Sequence, residues 1–251
     1  QAGARSLVEP TPLHIGRDLE ALRELSLRSG LRIVGSTGIY GAANQRFIPA
    51  YAHSESAEQL AERYLREIEE GVGPNRVRPG LIKTGVNKDT PLPEIERKLV
   101  RAAALAGAQG GLTVAAHTGP GAPALEELEI VQAAGLAPER FIWVHAHNER
   151  DHVLHHQLAR EGVWVEFDGL SPKSADWHLE CLRSMADAGL LDNTLLSQDA
   201  GWYRPGPERG SKYRGYTFLL EEFVPRLLRE GFRQADVEQL LITNPARALA
   251  G

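Results

Sequence analysis

Four apolar runs of this chain each end in a residue able to bind a metal or carry a proton. LIKTG carries Lys83, LTVAAHTG carries His117, FIWVHAH carries His145 and TLLSQDAG carries Asp199. Neutral imidazoles are good ligands for zinc and related cations, and carboxylates join them readily. Lysine is the odd companion, because its ammonium has no lone pair. A desolvated lysine loses its proton more easily. The free amine can then take up carbon dioxide as a carbamate, which bridges metals as a carboxylate does. Each residue alone has a plainer reading. Lys83 could be a Schiff-base nucleophile or a substrate anchor, Asp199 a cap for the following segment, and either histidine a satisfied polar group. Their joint placement at the ends of strand-like runs points to one site.

The elements that must position them alternate regularly. Apolar runs at 6–11, 31–38, 79–85, 112–119, 141–147, 163–170 and 194–201 have strand length. Between them lie helical patterns. One runs from Asp18 to Ser29 with Gly30 as its stop, and another opens at Ser56 with Gln59 placed for a capping box. Thr90 and Pro91 predict the start of a third, since proline suits the first helical position. Further helices are expected over 124–134, over ERDHVLHHQLARE, after Ser174 as a cap, and over 217–230 and 235–242. Strict alternation implies parallel strands with crossover helices. Nearly uninterrupted apolar strands fit a sheet buried on both faces. The expectation is one α/β domain over residues 1–251, a TIM-type (β/α)8 barrel. Seven strand–helix units are legible where such a barrel has eight, so either the sheet is open or the first unit is missing from this chain.

Composition narrows the class. The chain has 251 residues, 42% hydrophobic and 24% charged, with a formal charge of −5. No basic cluster marks a nucleic-acid partner. No run of 18 apolar residues marks a membrane span, and no signal peptide is visible. A cytoplasmic setting is therefore expected, with a removed leader as the alternative because the chain opens at Gln1. Cys181 is the only cysteine, which rules out an internal disulfide and reads as a buried thiol in a helix.

LIKTG, AAHTGPG, WVHAHNERD, LLSQDAGW and the closing ITNPARAL, taken in order, resemble the phosphotriesterase-related family of the amidohydrolase superfamily. The N-terminal stretch SLVEPTP through GLRIVGSTGIY is similar to that family's second and third barrel units. The resemblance covers essentially the whole chain. It implies a distorted barrel holding two divalent metals, commonly zinc, with manganese or cobalt as possible replacements. Lys83 matches the carboxylated bridging lysine. His117 and His145 match the histidines of the more exposed metal. Asp199 matches the aspartate that binds the more buried metal and takes a proton from the bridging hydroxide. The His-x-His pair of the family's first strand has no counterpart before Ser6, and HAH at 145–147 matches only through His145.

The implied activity is hydrolysis of a lactone or carboxylic ester, with phosphotriester turnover as a side activity. The alternatives are a Schiff-base lyase using Lys83 and an impaired metal-binding barrel. Tyr40, Trp202 and Tyr203 are expected to line the mouth and bind substrate, with loop packing as the plainer reading. Glu166, Asp168 and His147 are candidates to support the ligands from behind. His152, His155 and His156 are read as outward-facing helix residues, and His53 and His178 as structural. The expected partners are a small-molecule substrate and, as in related barrels, a second copy of the chain.

Overall fold

The computed structural model describes residues 2–201 and 214–250. Among the described residues, seven strands form one all-parallel sheet in sequence order: β1 (Ser6–Glu9), β2 (Arg32–Thr37), β3 (Leu81–Gly85), β4 (Val114–His117), β5 (Phe141–Val144), β6 (Trp164–Phe167) and β7 (Thr194–Leu196). The crossovers carry α1 (Leu19–Ser29), α2 (Ala50–Ser54), α3 (Ala57–Glu70), α4 (Glu94–Gly110), α5 (Gly121–Ala133), α6 (His152–Arg160) and α7 (Ala175–Asp187). The chain closes with α8 (Val224–Arg229), which the wider π turn Leu219–Phe223 leads into, and with α9 (Gln234–Glu238) and α10 (Asn244–Ala248), which the π turn Gln239–Thr243 joins. This is the curled sheet of a TIM-type α/β barrel, the fold expected from the alternation. Among the described residues no helix is long and apolar enough to cross a membrane.

Alternation along the strands divides the core in two. Ile82, Val114, Ala116, Trp143, Val165 and Phe167 pack outward among residues of the crossover helices. Leu81, Ala115, Ile142, Trp164 and Leu195 face inward and form a separate cluster with Ala248. The α10 end therefore plugs the barrel from below, and Thr113, just before β4, donates its hydroxyl to the Ala248 carbonyl at 2.6 Å. Helix α3 shows why the outer layer forms. Ala57, Leu60, Ala61 and Tyr64 recur at helical spacing and are buried. Ser56 and Gln59 make the reciprocal capping box that their spacing predicts.

Four local expectations need correction. Helix α4 starts at Glu94 rather than at Pro91, because Pro93 disfavours helical backbone at Leu92 and itself stays extended at ψ 145° as the N-cap. Ser174 stands before α7 but makes no side-chain cap. Its hydroxyl turns back to the Gly169 carbonyl instead. The closing helical stretch runs past 242 to Ala248. His155 is fully buried and not outward-facing.

Candidate active site

The register fixes the depth of each group. Lys83 lies opposite Ala115, which lies opposite Ile142, which lies opposite Trp164. Gly85, His117 and Val144 form the next inward layer up. Lys83 and His117 therefore share the inner face, with the lysine one layer deeper. Glu166 belongs to the same inner face by its period-two spacing from Trp164. These are the C-terminal ends of parallel strands, where barrel enzymes build their sites.

His145 reaches this group by a different route. Val144 faces inward, so a continued strand would send His145 toward the helices. Instead His145 takes a left-handed conformation, with φ 69° and ψ 28°. That bend brings its ring against His117, centroid to centroid 4.4 Å and edge-on. A non-glycine residue in this region is uncommon and held by its surroundings. Here Asp168 holds it, with Oδ2 2.5 Å from His145 Nδ1.

Asp168 also reaches His147, at 2.9 Å from Oδ1 to Nδ1. That contact is short but poorly aligned, so both atoms are buried without a hydrogen bond. Ligand atoms of His145, His147 and Asp168 lie within 4.8 Å of one another. Gly169, with φ +67°, permits this closure, since a Cβ there would sit 2.8 Å from His147 Nε2. On the other side Tyr40 packs edge-on against His117 at 5.1 Å. A Cβ on Gly85 would lie 2.8 Å from His117 Cβ and 2.9 Å from the Tyr40 ring.

The electrostatics follow from burial. Lys83 is 6% exposed, and its Nζ donates to the Thr84 carbonyl at 3.1 Å. Burial brings the lysine down to about 8, against the pull of Glu166, Asp168, Glu127 and Asp199. His117 falls to about 3 through burial, then through Lys83 and His145, so it is neutral with a lone pair available at pH 7. Burial and the neighbouring Asp168 push Glu166 up to about 7, while Ser197 donates to it at 2.9 Å. Burial alone would raise Asp168, but contacts with His145 and His147 more than offset this and hold it low. Burial, then Asp199, pushes Tyr40 up to about 12, so it stays a phenol.

The structure thus brings Lys83, His117, His145 and Tyr40 together. Asp199 turns at φ 44° after β7 and acts electrostatically on both Lys83 and Tyr40. Trp202 and Tyr203 lie outside the described residues. Asp168 is more central than its reading as a supporting or core polar group implied. The available signal was its place two residues beyond Glu166, on the inner face. Glu127 carried no comparable signal. It is fully buried on α5 and accepts from Thr118 Oγ1 at 2.5 Å. Thr118 in turn donates its amide to Val144 and accepts from Trp143 Nε1, tying the two histidine-bearing strand ends together.

The donor set suits a divalent cation of the zinc type, with imidazoles, a carboxylate and a buried polar pair lacking a hydrogen bond. A parallel barrel with such a rim is an α/β barrel whose strand ends could hold a metal. Within that class, residues 1–249 match the phosphotriesterase family, and the chain belongs to it. It is 31% identical over 253 residues to the phosphotriesterase homology protein of Escherichia coli (strain K12), covering 98% of this chain and 83% of that one. It is 29% identical over 274 residues to the N-acetyltaurine hydrolase of Salmo salar, covering 99% and 74%. The crystal structure of the Escherichia coli protein, complexed with phosphate in its active site, superposes with a TM-score of 0.88 at 28% identity, covering 99% of this chain and 85% of that one.

Proposed function

We propose that this chain forms a single metal-dependent hydrolase domain that cleaves a lactone or carboxylic ester, with phosphotriesters as secondary substrates. The observation that carries this reading is the buried Lys83 beneath the His117–His145–Asp168 rim, in a chain matched to the family over 1–249. Lys83, His117, His145 and Asp199 would hold two divalent cations, zinc first and manganese or cobalt as substitutes. When bound, such cations lower the pKa of water from 15.7 to about 7 and polarise the substrate oxygen.

The chain's own residues do the rest. A lysine brought to about 8 by burial is free amine in roughly a tenth of molecules at pH 7. That fraction is what carbamate formation at Lys83 requires. Asp168 fixes the His145 ring, and with it the tautomer that leaves the other nitrogen for a cation. Asp199 accepts the proton of the attacking water. Tyr40, kept as a phenol beside His117, donates to the substrate oxygen. A second reading, cleavage of an N-acyl amide, is favoured by the name of the Salmo salar relative.

The test is elemental analysis of the purified chain, followed by chelation, reconstitution with zinc, manganese or cobalt, and assay on lactones, aryl esters, phosphotriesters and N-acyl amino sulfonates. Chelation should abolish turnover and metal should restore it, while Lys83→Ala should lower both metal content and activity. Metal content unchanged in Lys83→Ala would remove the bridging assignment. Chelator-resistant turnover with borohydride trapping on Lys83 would favour a lyase. Bound metal without turnover of any substrate would favour a binding barrel.

A further inference from the structure

A second group of metal-binding side chains sits outside the barrel mouth, between α6 and α7. His152 and His155 are three residues apart on α6 and so share one face. Cys181 comes from the facing helix α7. A nitrogen of each ring and the Cys181 sulfur lie within 4.8 Å of one another. We propose that His152, His155 and Cys181 form a separate binding site for a borderline-soft divalent cation, zinc by chemistry, with its fourth position open to solvent. This site goes beyond the barrel-rim reading and does not depend on it.

Three observations carry the proposal. First, the Nδ1 atoms of His152 and His155 are 3.3 Å apart. With Zn–N bonds of about 2.0–2.1 Å, two imidazole ligands of a tetrahedral zinc stand about 3.3–3.4 Å apart. Second, the other nitrogen of His155 has an outer partner of the kind that orients metal-binding histidines, and that of His152 faces a carboxylate beyond hydrogen-bond reach. His155 Nε2 is 2.8 Å from the Ala146 carbonyl, so it must carry the proton there, leaving Nδ1 with its lone pair. His152 Nε2 lies 3.7 Å from the Glu180 carboxylate. Third, the rings are already held. His152 stacks on Trp177 at 5.1 Å and 20°, and His155 packs edge-on against Phe167 at 5.1 Å.

One ligand of the site reaches the surface. Cys181 and His155 are fully buried, but His152 is part-buried and borders a surface cavity of about 490 Å³ shared with His156, Glu180 and Ser184. Imidazole and thiolate donors select zinc over magnesium or calcium, which prefer oxygen. The Ala146 carbonyl that orients His155 directly follows His145, so the two sites are linked through one turn of backbone.

Cobalt titration of the full, metal-stripped chain tests the site. Cys181 is the only cysteine, so a near-ultraviolet thiolate-to-cobalt charge-transfer band can have only one source. The band should appear, level off at the intensity of one thiolate-bound cobalt per chain once the cobalt taken up by the barrel rim is allowed for, be displaced by zinc, and persist in His117→Ala. It should vanish in Cys181→Ser and in His152→Ala. The latter alters a part-buried residue and serves if the cysteine variant fails to fold, with circular dichroism confirming the fold of each. Absence of the band in the wild-type chain would leave an ordinary hydrogen bond between the two rings and overturn the proposal. Persistence of the band in His152→Ala would also overturn it.

Discussion

Replacing Glu127 by glutamine should change how stability depends on pH more than stability itself. Glu127 is fully buried on α5, with one carboxylate oxygen at Thr118 and the other without a hydrogen bond. Burial raises its pKa from 4.5 to about 8, and the Thr118 hydrogen bond and Lys83 only partly oppose that rise, to which Glu96 adds. The folded state therefore keeps this proton over a range in which the unfolded chain has lost it. Stability is full below about pH 4.5 and falls as pH rises through about 8. At about 1.36 kcal/mol per pH unit, the whole displacement amounts to roughly 3–5 kcal/mol by pH 9.

Glutamine keeps the shape, accepts the same Thr118 hydrogen bond and has no proton to lose. At pH 5 the Glu127→Gln chain should lie within about 1 kcal/mol of the wild type, since both side chains are then neutral. At pH 9 it should be the more stable by several kcal/mol. Urea unfolding of chelated protein at pH 5, 7 and 9 measures this, with the wild type and variant compared at each pH. Parallel pH profiles for the two proteins would show that Glu127 is already ionised in the fold, and the burial argument would fail.

Two further outcomes follow from close approaches and from a shielded ion pair. Gly85→Ala drives a Cβ to 2.8 Å from His117 and 2.9 Å from Tyr40, so it should cost about 1–3 kcal/mol and weaken metal retention, read by thermal melting and elemental analysis. Arg17, whose side chain is 3% exposed, makes a double contact to Glu67 at 2.6 and 2.9 Å. Burial would raise Glu67, but hydrogen bonds from Arg17 and Thr37 hold it below 4.5. Its contribution is therefore present above about pH 4.5 and is lost as pH falls through the lower folded value. Glu67→Gln should cost about 1–3 kcal/mol at pH 7 and flatten the acid limb of the stability profile, and an unchanged acid limb would count against the pair.

The elements were legible because apolar runs and caps are local signals. Ser56 and Gln59 mark the start of α3 within a single turn, and the strand runs end where His117 and Gly85 leave the sheet. Other features depend on partners far along the chain. Glu126 holds the Leu92 amide ahead of α4 from 34 residues away, a contact that no local pattern announces. HVLHH offers histidines on adjoining faces, and spacing alone does not say which face meets α7. Only the packed structure shows that His155 turns inward. At the rim, Lys83 and His117 were legible as inner-face residues because strand parity places them. His145 breaks parity through its left-handed backbone, which the sequence pattern does not encode. The pairing of Asp168 with His145 and His147 depends on that bend and was correspondingly hidden.

The depth of Lys83 explains why a lysine stands there. Its Cα lies at the level of Ala115, Ile142 and Trp164, an apolar layer. The polar groups it must meet belong to the layer above, with His117 and Glu166. A shorter polar side chain would leave its charged end among apolar neighbours, at a cost of several kcal/mol if unpaired. The lysine stem crosses that layer as hydrocarbon and delivers only its nitrogen to the polar level. The same passage desolvates the amine and brings it to about 8. Reach and reactivity therefore have one cause, the apolar layer through which the side chain must pass.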